Sequence, residues 1–341
     1  CVMKKSDCPT YLGIDVSKGS LDCCLYNGTE HKTRSFNSNK LSTVQKIISH
    51  FKISPVSCRV VLEATGVYHS AAFIGFTSQD FDVAVENPLR IRSFATMKNL
   101  LRTKTDPVDA KTIAEYGFIN KPVSTKPKEA YQCKVVARLK LIGFFKKLIA
   151  QNRNHIEALN NNSFECNATS LITHVKNEIN HLNVTINEIK SDIEKILTKH
   201  CPELYKQYKS IPGIGPTVAG AIICFYGDFS EFSNSKKAAA FAGLCPKVCK
   251  SGSSVDKKGS ISKKGNSMLR TLFYMAALSA ARCNDTCQEA YLRLRQAGKP
   301  AKVALIAVAN KLLRQAMALA RKGESFIENY KEISPCAAKT T

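Results

Sequence analysis

The sequence predicts an α/β N-terminal domain, a long helical middle segment and a mainly helical C-terminal domain. Three observations carry that expectation: strand-like apolar runs interleaved with helical spacing over 10–120, a heptad seam between 175 and 196, and glycine-punctuated apolar helices after Pro202. The expected boundaries are 8–125, 126–203 and 204–325, with 326–341 as a tail.

In the first segment, "TYLGIDVS" (10–17) is an apolar run ending in Asp15, and "SLDCCLYNG" (20–28) returns after a short polar turn, which reads as a hairpin. "LSTVQKIISHF" (41–51) has helical spacing, while "CRVVLEATG" (58–66) and "FDVAVENP" (81–88) read as buried strands. In the second segment Val175, Ile179, Leu182, Ile186, Ile189, Ile193 and Ile196 recur at alternating steps of four and three. That spacing fits a coiled coil, or a long amphipathic helix packed on its own domain. In the third segment "SIPGIGPTVAGAII" (210–223) and "FSNSKKAAAFAGLCP" (232–246) precede a Lys/Ser/Gly loop over 247–267. Two apolar helices follow, "MLRTLFYMAALSAARC" and "AKVALIAVANKLLRQAMALA" (268–283 and 301–320).

The 341 residues include 50 Lys plus Arg against 27 Asp plus Glu, a formal net charge of +23. A charge so far from zero implies a polyanionic partner, nucleic acid before a membrane surface. With 44% hydrophobic and 23% charged residues the composition is globular, which excludes a disordered or collagenous chain. No run approaches eighteen uninterrupted apolar residues, so no membrane span is expected. The first twenty residues lack the apolar core of a secretory signal. The fourteen cysteines are therefore expected as reduced thiols of a cytoplasmic protein, and small buried side chains explain them better than a zinc site at Cys245, Cys249, Cys283 and Cys287.

Asp15 and Glu63 close two strand-like runs, and acids leaving the same end of adjacent strands converge at a sheet edge. "KTDPVDA" (104–110) adds a helix start, with Asp106 at the cap, Pro107 in the first turn and Asp109 three residues on, on the same face. Singly, each acid could close a turn, sit on the surface or cap a helix. Together, four carboxylates repel one another unless a cation neutralises them, and all-oxygen ligands select Mg2+ or Mn2+, as a pair in phosphodiester chemistry.

Between Arg90 and Arg153 fifteen Lys or Arg face four acids, a net +11, with Arg102, Lys104, Lys146 and Lys147 among the candidate phosphate contacts. "IPGIGPTVAG" (211–220) has the form of a helix-hairpin-helix, in which Gly213 and Gly215 allow a tight turn and the next helix offers free N–H groups to a phosphate. A plain glycine turn between helices fits the same residues. The loop of 243–270 sets six serines among seven basic residues, including Lys250, Lys257, Lys258, Lys263 and Lys264. Taken alone, it reads as a phosphate-binding loop, because a serine hydroxyl needs its proton removed and its developing charge stabilised before it attacks.

The order "GIDVSK", "LEATGVY", "KTDPVDA", "IPGIGP", "GLCPKVCKSG", "GSISKKGNSMLR" and "KVALIAVANKLL" resembles the insertion-sequence transposase family numbered one hundred and ten, from about residue 10 to 320. The resemblance implies an N-terminal RuvC-like, ribonuclease H-type domain in which Asp15, Glu63, Asp106 and Asp109 hold Mg2+. It also implies a coiled-coil linker supporting homodimers or homotetramers, and a C-terminal transposase domain whose nucleophilic serine aligns with Ser251, with Ser253 and Ser254 close behind. The activity implied is recombination of donor and target DNA guided by a bridge RNA, through a phosphoserine link, with acids and serine drawn from different subunits. A metal-dependent, structure-specific endonuclease and a non-catalytic nucleic-acid-binding protein are the other readings of the same residues.

Overall fold

A computed structural model of the chain describes residues 10–38, 40–66, 68–98, 106–161, 169–245, 250–251, 255–256, 261–262 and 265–327. The chain divides into two compact units, residues 1–127 and 128–341.

The first unit is built on a sheet of β1 (Thr10–Val16), β2 (Leu21–Tyr26), β3 (His31–Phe36), β4 (Cys58–Glu63) and β5 (Val83–Glu86), in the order β3-β2-β1-β4-β5. β1, β2 and β3 run antiparallel in sequence, whereas β4 lies parallel to β1 and β5 parallel to β4. The expected hairpin of the first two strands is therefore present, but β3 carries no apolar run to announce it. Its sequence HKTRSF is exposed along most of its length, and it pairs as a solvated edge strand after a turn at Gly28, whose φ is +103°.

Alternation along the strands gives the sheet two apolar faces. Leu12, Ile14 and Val16 pack with Val60, Leu62 and Val83 under α1 (Leu41–Phe51) and α2 (His69–Thr77). Tyr11, Val61 and Ala84 pack with Ile91, Phe94, Ile113 and Tyr116 of α3 (Pro88–Met97) and α4 (Asp106–Asn120). A Cβ on Gly13 would lie 2.3 Å from the Ala114 nitrogen and 2.6 Å from the Ala110 oxygen, and one on Gly117 would lie 2.7 Å from Val61 and 3.0 Å from Tyr11. α4 thus rests on the bare backbone of β1 and runs antiparallel to it. The far edge of the sheet is closed by 121–127: Thr125 donates its N–H to the Val83 carbonyl, and Arg59 joins Asp82 at 2.9 Å and Ser124 at 3.0 Å.

The second unit opens on two 32-residue helices, α5 (Ala130–Asn161) and α6 (Thr169–His200). They are antiparallel, since Val135 of α5 and Ile193 and Leu197 of α6 all meet Gly220 of α8 (Pro216–Tyr226). Leu182, Ile186 and Ile193 of the seam are buried in a core shared with α7 (Pro202–Lys209), α8, α9 (Ser235–Ala242), α10 (Ser267–Cys283), α11 (Asp285–Gln296) and α12 (Ala301–Lys322). These three seam residues pack on α5 and α8 of the same chain, and the expected linker of 126–203 shares a core with the helices that follow it. By length and composition α12 could cross a membrane, with a mean hydropathy of 1.4, but 44% of that window is buried inside the unit. Its face from Ala304 to Met317 is core.

The gap that Gly13 leaves for α4 makes this position intolerant of any side chain. Gly13→Ala is expected to destabilise the first unit by about 3 kcal/mol, at the upper end for overpacking, because the obstructing atoms are backbone. Gly19→Ala, whose added Cβ would meet nothing within 4 Å, should leave stability within about 0.5 kcal/mol, both variants being read by urea titration.

Candidate functional site

The parallel register pairs Ile14 with Leu62, so the next residues, Asp15 and Glu63, are neighbours across β1 and β4, about 4.8 Å apart at the backbone. Asp15 also pairs with Asp22 on β2, and Glu63 with Glu86 on β5. Four carboxylates therefore form one row across four strands, on the face that α4 covers. The outer two are held within the fold. Asp22 is 8% exposed and accepts a hydrogen bond from the Ser35 hydroxyl, while Glu86 is 6% exposed and lies 3.3 Å from Arg90. That carboxylate raises the Arg90 guanidinium above its ordinary pKa. Asp15 and Glu63, in the middle of the row, are half-buried.

Because α4 runs antiparallel to β1, its N-terminal end lies at the strand ends that carry Asp15 and Glu63. The helix begins at Asp106 itself, one position earlier than a cap at that residue predicts, and half-buried Asp109 follows in the first turn. The Asp106 side chain lies outside the described residues. Among the described residues no three His, Cys, Asp or Glu side chains gather closely enough to hold a metal ion. The structure thus makes neighbours of Asp15 and Glu63 and brings the start of α4 to the same end of the unit. Asp22 and Glu86 are the acids that sequence reasoning missed; their one signal is register, which only pairing reveals.

In the second unit the loop after α9 contains a small antiparallel ladder, β6 (Lys250–Ser251) with β7 (Val255–Asp256), in which Ser251 pairs with Val255. Its base is pinned on both sides. Ser262 donates its N–H to the Cys245 carbonyl at 3.0 Å, Asn266 to the Phe241 carbonyl at 2.8 Å, and the Asn266 side chain caps α10 by accepting from Met268 and Leu269. The side chains of Lys250 and Ser251, and residues Arg102, Lys104, Ser253, Ser254, Lys257, Lys258, Lys263 and Lys264, lie outside the described residues.

A family model for DEDD transposases, described as "Transposase", matches residues 12–160, and a second, described as "Transposase IS116/IS110/IS902 family", matches 205–292. The chain belongs to this transposase family. The two matches take in both the carboxylate row and the serine ladder. The transposase is 29% identical to the "Pilin gene-inverting protein" of Moraxella lacunata, and likewise to that of Moraxella bovis, over 93% of this chain and 97% of theirs. It is 39% identical to the "Transposase for insertion sequence element IS1111A" of Coxiella burnetii, over 23% of this chain and 21% of that one. A solved structure, "T. thermophilus RuvC in complex with Holliday junction substrate", is similar over 34% of this chain and 99% of that one, at 12% identity and a TM-score of 0.27, a likeness too distant to bear on function.

The transposase's basic run is less open than its +11 suggests. Arg90 pairs with Glu86, Lys98 with Glu115 at 2.7 Å and Arg138 with Asp192 at 3.4 Å. Lys128 lies 4.0 Å from the Phe225 ring centre, where burial lowers its pKa. Lys146 keeps a basic setting: with Arg153, Lys190 and three asparagines it lines a cavity of about 370 Å3 between α5 and α6, and burial followed by Lys190 lowers its pKa. Lys147 beside it is exposed.

In the glycine hairpin, Gly213 also packs against the helix that follows the serine loop. The Gly213 φ is +98°, as the expected tight turn requires, and a Cβ there would lie 2.6 Å from Ala280 of α10, so this position also needs glycine for packing. The donors of α8 are also fewer than expected, because Pro216 has no N–H and Val218 bonds the Gly215 carbonyl at 3.0 Å. A Cβ added at Gly215 would meet nothing within 4 Å.

The nine described cysteines are free thiols, and burial pushes Cys24 and Cys224 up to about 12 and Cys287 to about 11. Such thiols stay protonated at neutral pH and act as small apolar side chains, neither nucleophile nor ligand.

Gly213→Ala should lower stability by about 3 kcal/mol through strain and the clash with α10, whereas Gly215→Ala should stay within about 1 kcal/mol, both read from urea unfolding followed by tyrosine fluorescence.

Proposed function

We propose that this transposase is an RNA-guided DNA recombinase that cuts through Ser251 and uses divalent metal held by Asp15, Glu63, Asp106 and Asp109. It acts on nucleoid DNA in a prokaryotic cytoplasm, as a homodimer or homotetramer that completes each site with acids and serine from different subunits. The observation that carries the metal-binding half is the register that sets Asp15 beside Glu63 on parallel strands, with the start of α4 at the same end. Two carboxylates at adjacent strand positions form an all-oxygen donor pair, which suits Mg2+ or Mn2+ and no soft ion. When bound, the metal would supply charge stabilisation to the reacting phosphodiester.

The chain's own residues divide the remaining work. Asp22 and Glu86, tied to Ser35 and Arg90, leave Asp15 and Glu63 as the half-buried acids in the middle of the row. The Ser251 Oγ–phosphorus bond forms as the phosphorus–oxygen bond to the neighbouring deoxyribose breaks, and the serine proton goes to the leaving hydroxyl. A hydroxyl of the exchanged strand reverses the step. One phosphodiester replaces another, so the exchange needs no external energy source. Likeness along nearly the full chain to proteins named for inverting a gene supports joining of strands over cutting alone. The donor and target sequences would be read by the bridge RNA, with the basic surfaces supplying phosphate contacts.

Trapping of a covalent protein–DNA adduct tests the serine. Ser251→Ala should give none, and an adduct that persists in this variant rules the assignment out. Asp15→Asn and Glu63→Gln should each slow strand cleavage about a thousandfold, the several kcal/mol that metal-assisted charge stabilisation supplies, and chelation of divalent metal should abolish it. Cleavage that chelation stops but that never passes through an adduct would identify a water-activating endonuclease instead. Sequencing of copurified RNA checks guidance: segments complementary to the DNA flanking the gene are expected.

A further inference from the structure

Helices α10, α11 and α12 enclose a groove of about 1370 Å3 that none of the candidate residues above occupies. It is larger than the roughly 300–1,000 Å3 of a typical small-ligand site, which favours a polymer. Arg270, Arg293, Lys302, Lys311 and Arg314 line it, and among the described residues no Asp or Glu does. Its floor is apolar, with Tyr274, Leu294, Val303 and Ile306, and Val303 is 48% exposed. Leu244 and Ile261 also line it, and these residues flank the two pinned ends of the loop that carries Ser251.

Charge and floor together select the occupant. Five lining cations, with no Asp or Glu among the described lining residues, match a phosphodiester backbone. An apolar floor adds nothing for a duplex, whose bases are stacked inside, but it suits a single strand whose base faces are open to contact. We infer that this groove holds a single-stranded DNA segment adjoining the strand that Ser251 attacks. The choice of DNA over RNA rests on the recombinase reading above, through the groove's position at the serine loop.

The test is fluorescence anisotropy on the full-length protein carrying Ser251→Ala, with a labelled single DNA strand, the duplex of the same sequence and the matching RNA strand. Because the readout is binding and not cleavage, a wrong serine assignment leaves strand affinity unchanged, and the two failures are distinguishable. Adding Arg293→Glu with Arg314→Glu should weaken single-stranded DNA at least tenfold and duplex less than threefold, and should lower the salt slope for single strands by about 1.4, roughly 0.7 per phosphate contact. Arg293→Lys with Arg314→Lys should keep most of the affinity, which separates charge from folding. Val303→Gln, at an exposed position, should weaken the single strand several-fold without changing the salt slope. Equal losses on duplex, a larger loss on RNA than on DNA, a changed oligomeric mass by light scattering with strand affinity intact, or no loss at all would each overturn the inference.

Discussion

Helix α4 meets β1 at the bare α-carbon of Gly13, where the Ala110 oxygen and the Ala114 nitrogen would lie within 2.6 Å of any added Cβ. The close approach sets the direction of the helix, because Gly117 at the next turns meets Tyr11, two residues back along the strand. Direction in turn decides chemistry. An antiparallel α4 brings its start, with Asp106 and Asp109, to the strand ends that carry Asp15 and Glu63, whereas a reversed helix would carry those acids to the opposite edge. Close-packed interiors transmit such a displacement and do not absorb it.

The same local arrangement sorts the charges. A row of four carboxylates on one sheet face would be self-repelling, but the outer pair is satisfied by Ser35 and Arg90, and the inner pair is left half-buried. On the basic side, Arg90, Lys98 and Arg138 are each paired with a carboxylate, so a count of lysines and arginines overstates the charge open to a partner. The groove of α10–α12 reverses this picture. Four of its five cations, Arg293, Lys302, Lys311 and Arg314, come from stretches of α11 and α12 that no charge run in the sequence singles out, and they face an apolar floor.

Legibility followed how local each signal was. The ends of β1 and β4 were readable because Asp15 and Glu63 break apolar runs, and α1 was readable over 41–51 from its spacing. β3 was not, since an edge strand of HKTRSF takes its conformation from pairing with β2 and not from burial. The heptad seam is legible as apolar and helical, yet spacing is blind to what covers it; Leu182, Ile186 and Ile193 share a core with α5 and α8 of the same chain. Gly213 and Gly215 look alike in "IPGIGP", but one packs on Ala280 and a Cβ added at the other would meet nothing within 4 Å.

The sequence by itself determined the strand and helix types, the basic character, the acids that end strands and helices, and the family. Each depends on periodicity, composition or short motifs, which are properties of neighbours along the chain. Only the tertiary structure decided that Asp22 and Glu86 extend the carboxylate row, that one hairpin glycine is a packing residue, and that cations of α10, α11 and α12 share one groove. These depend on strand register and helix contacts between residues distant in sequence, and a one-residue slip in register would move every such side chain to the other face.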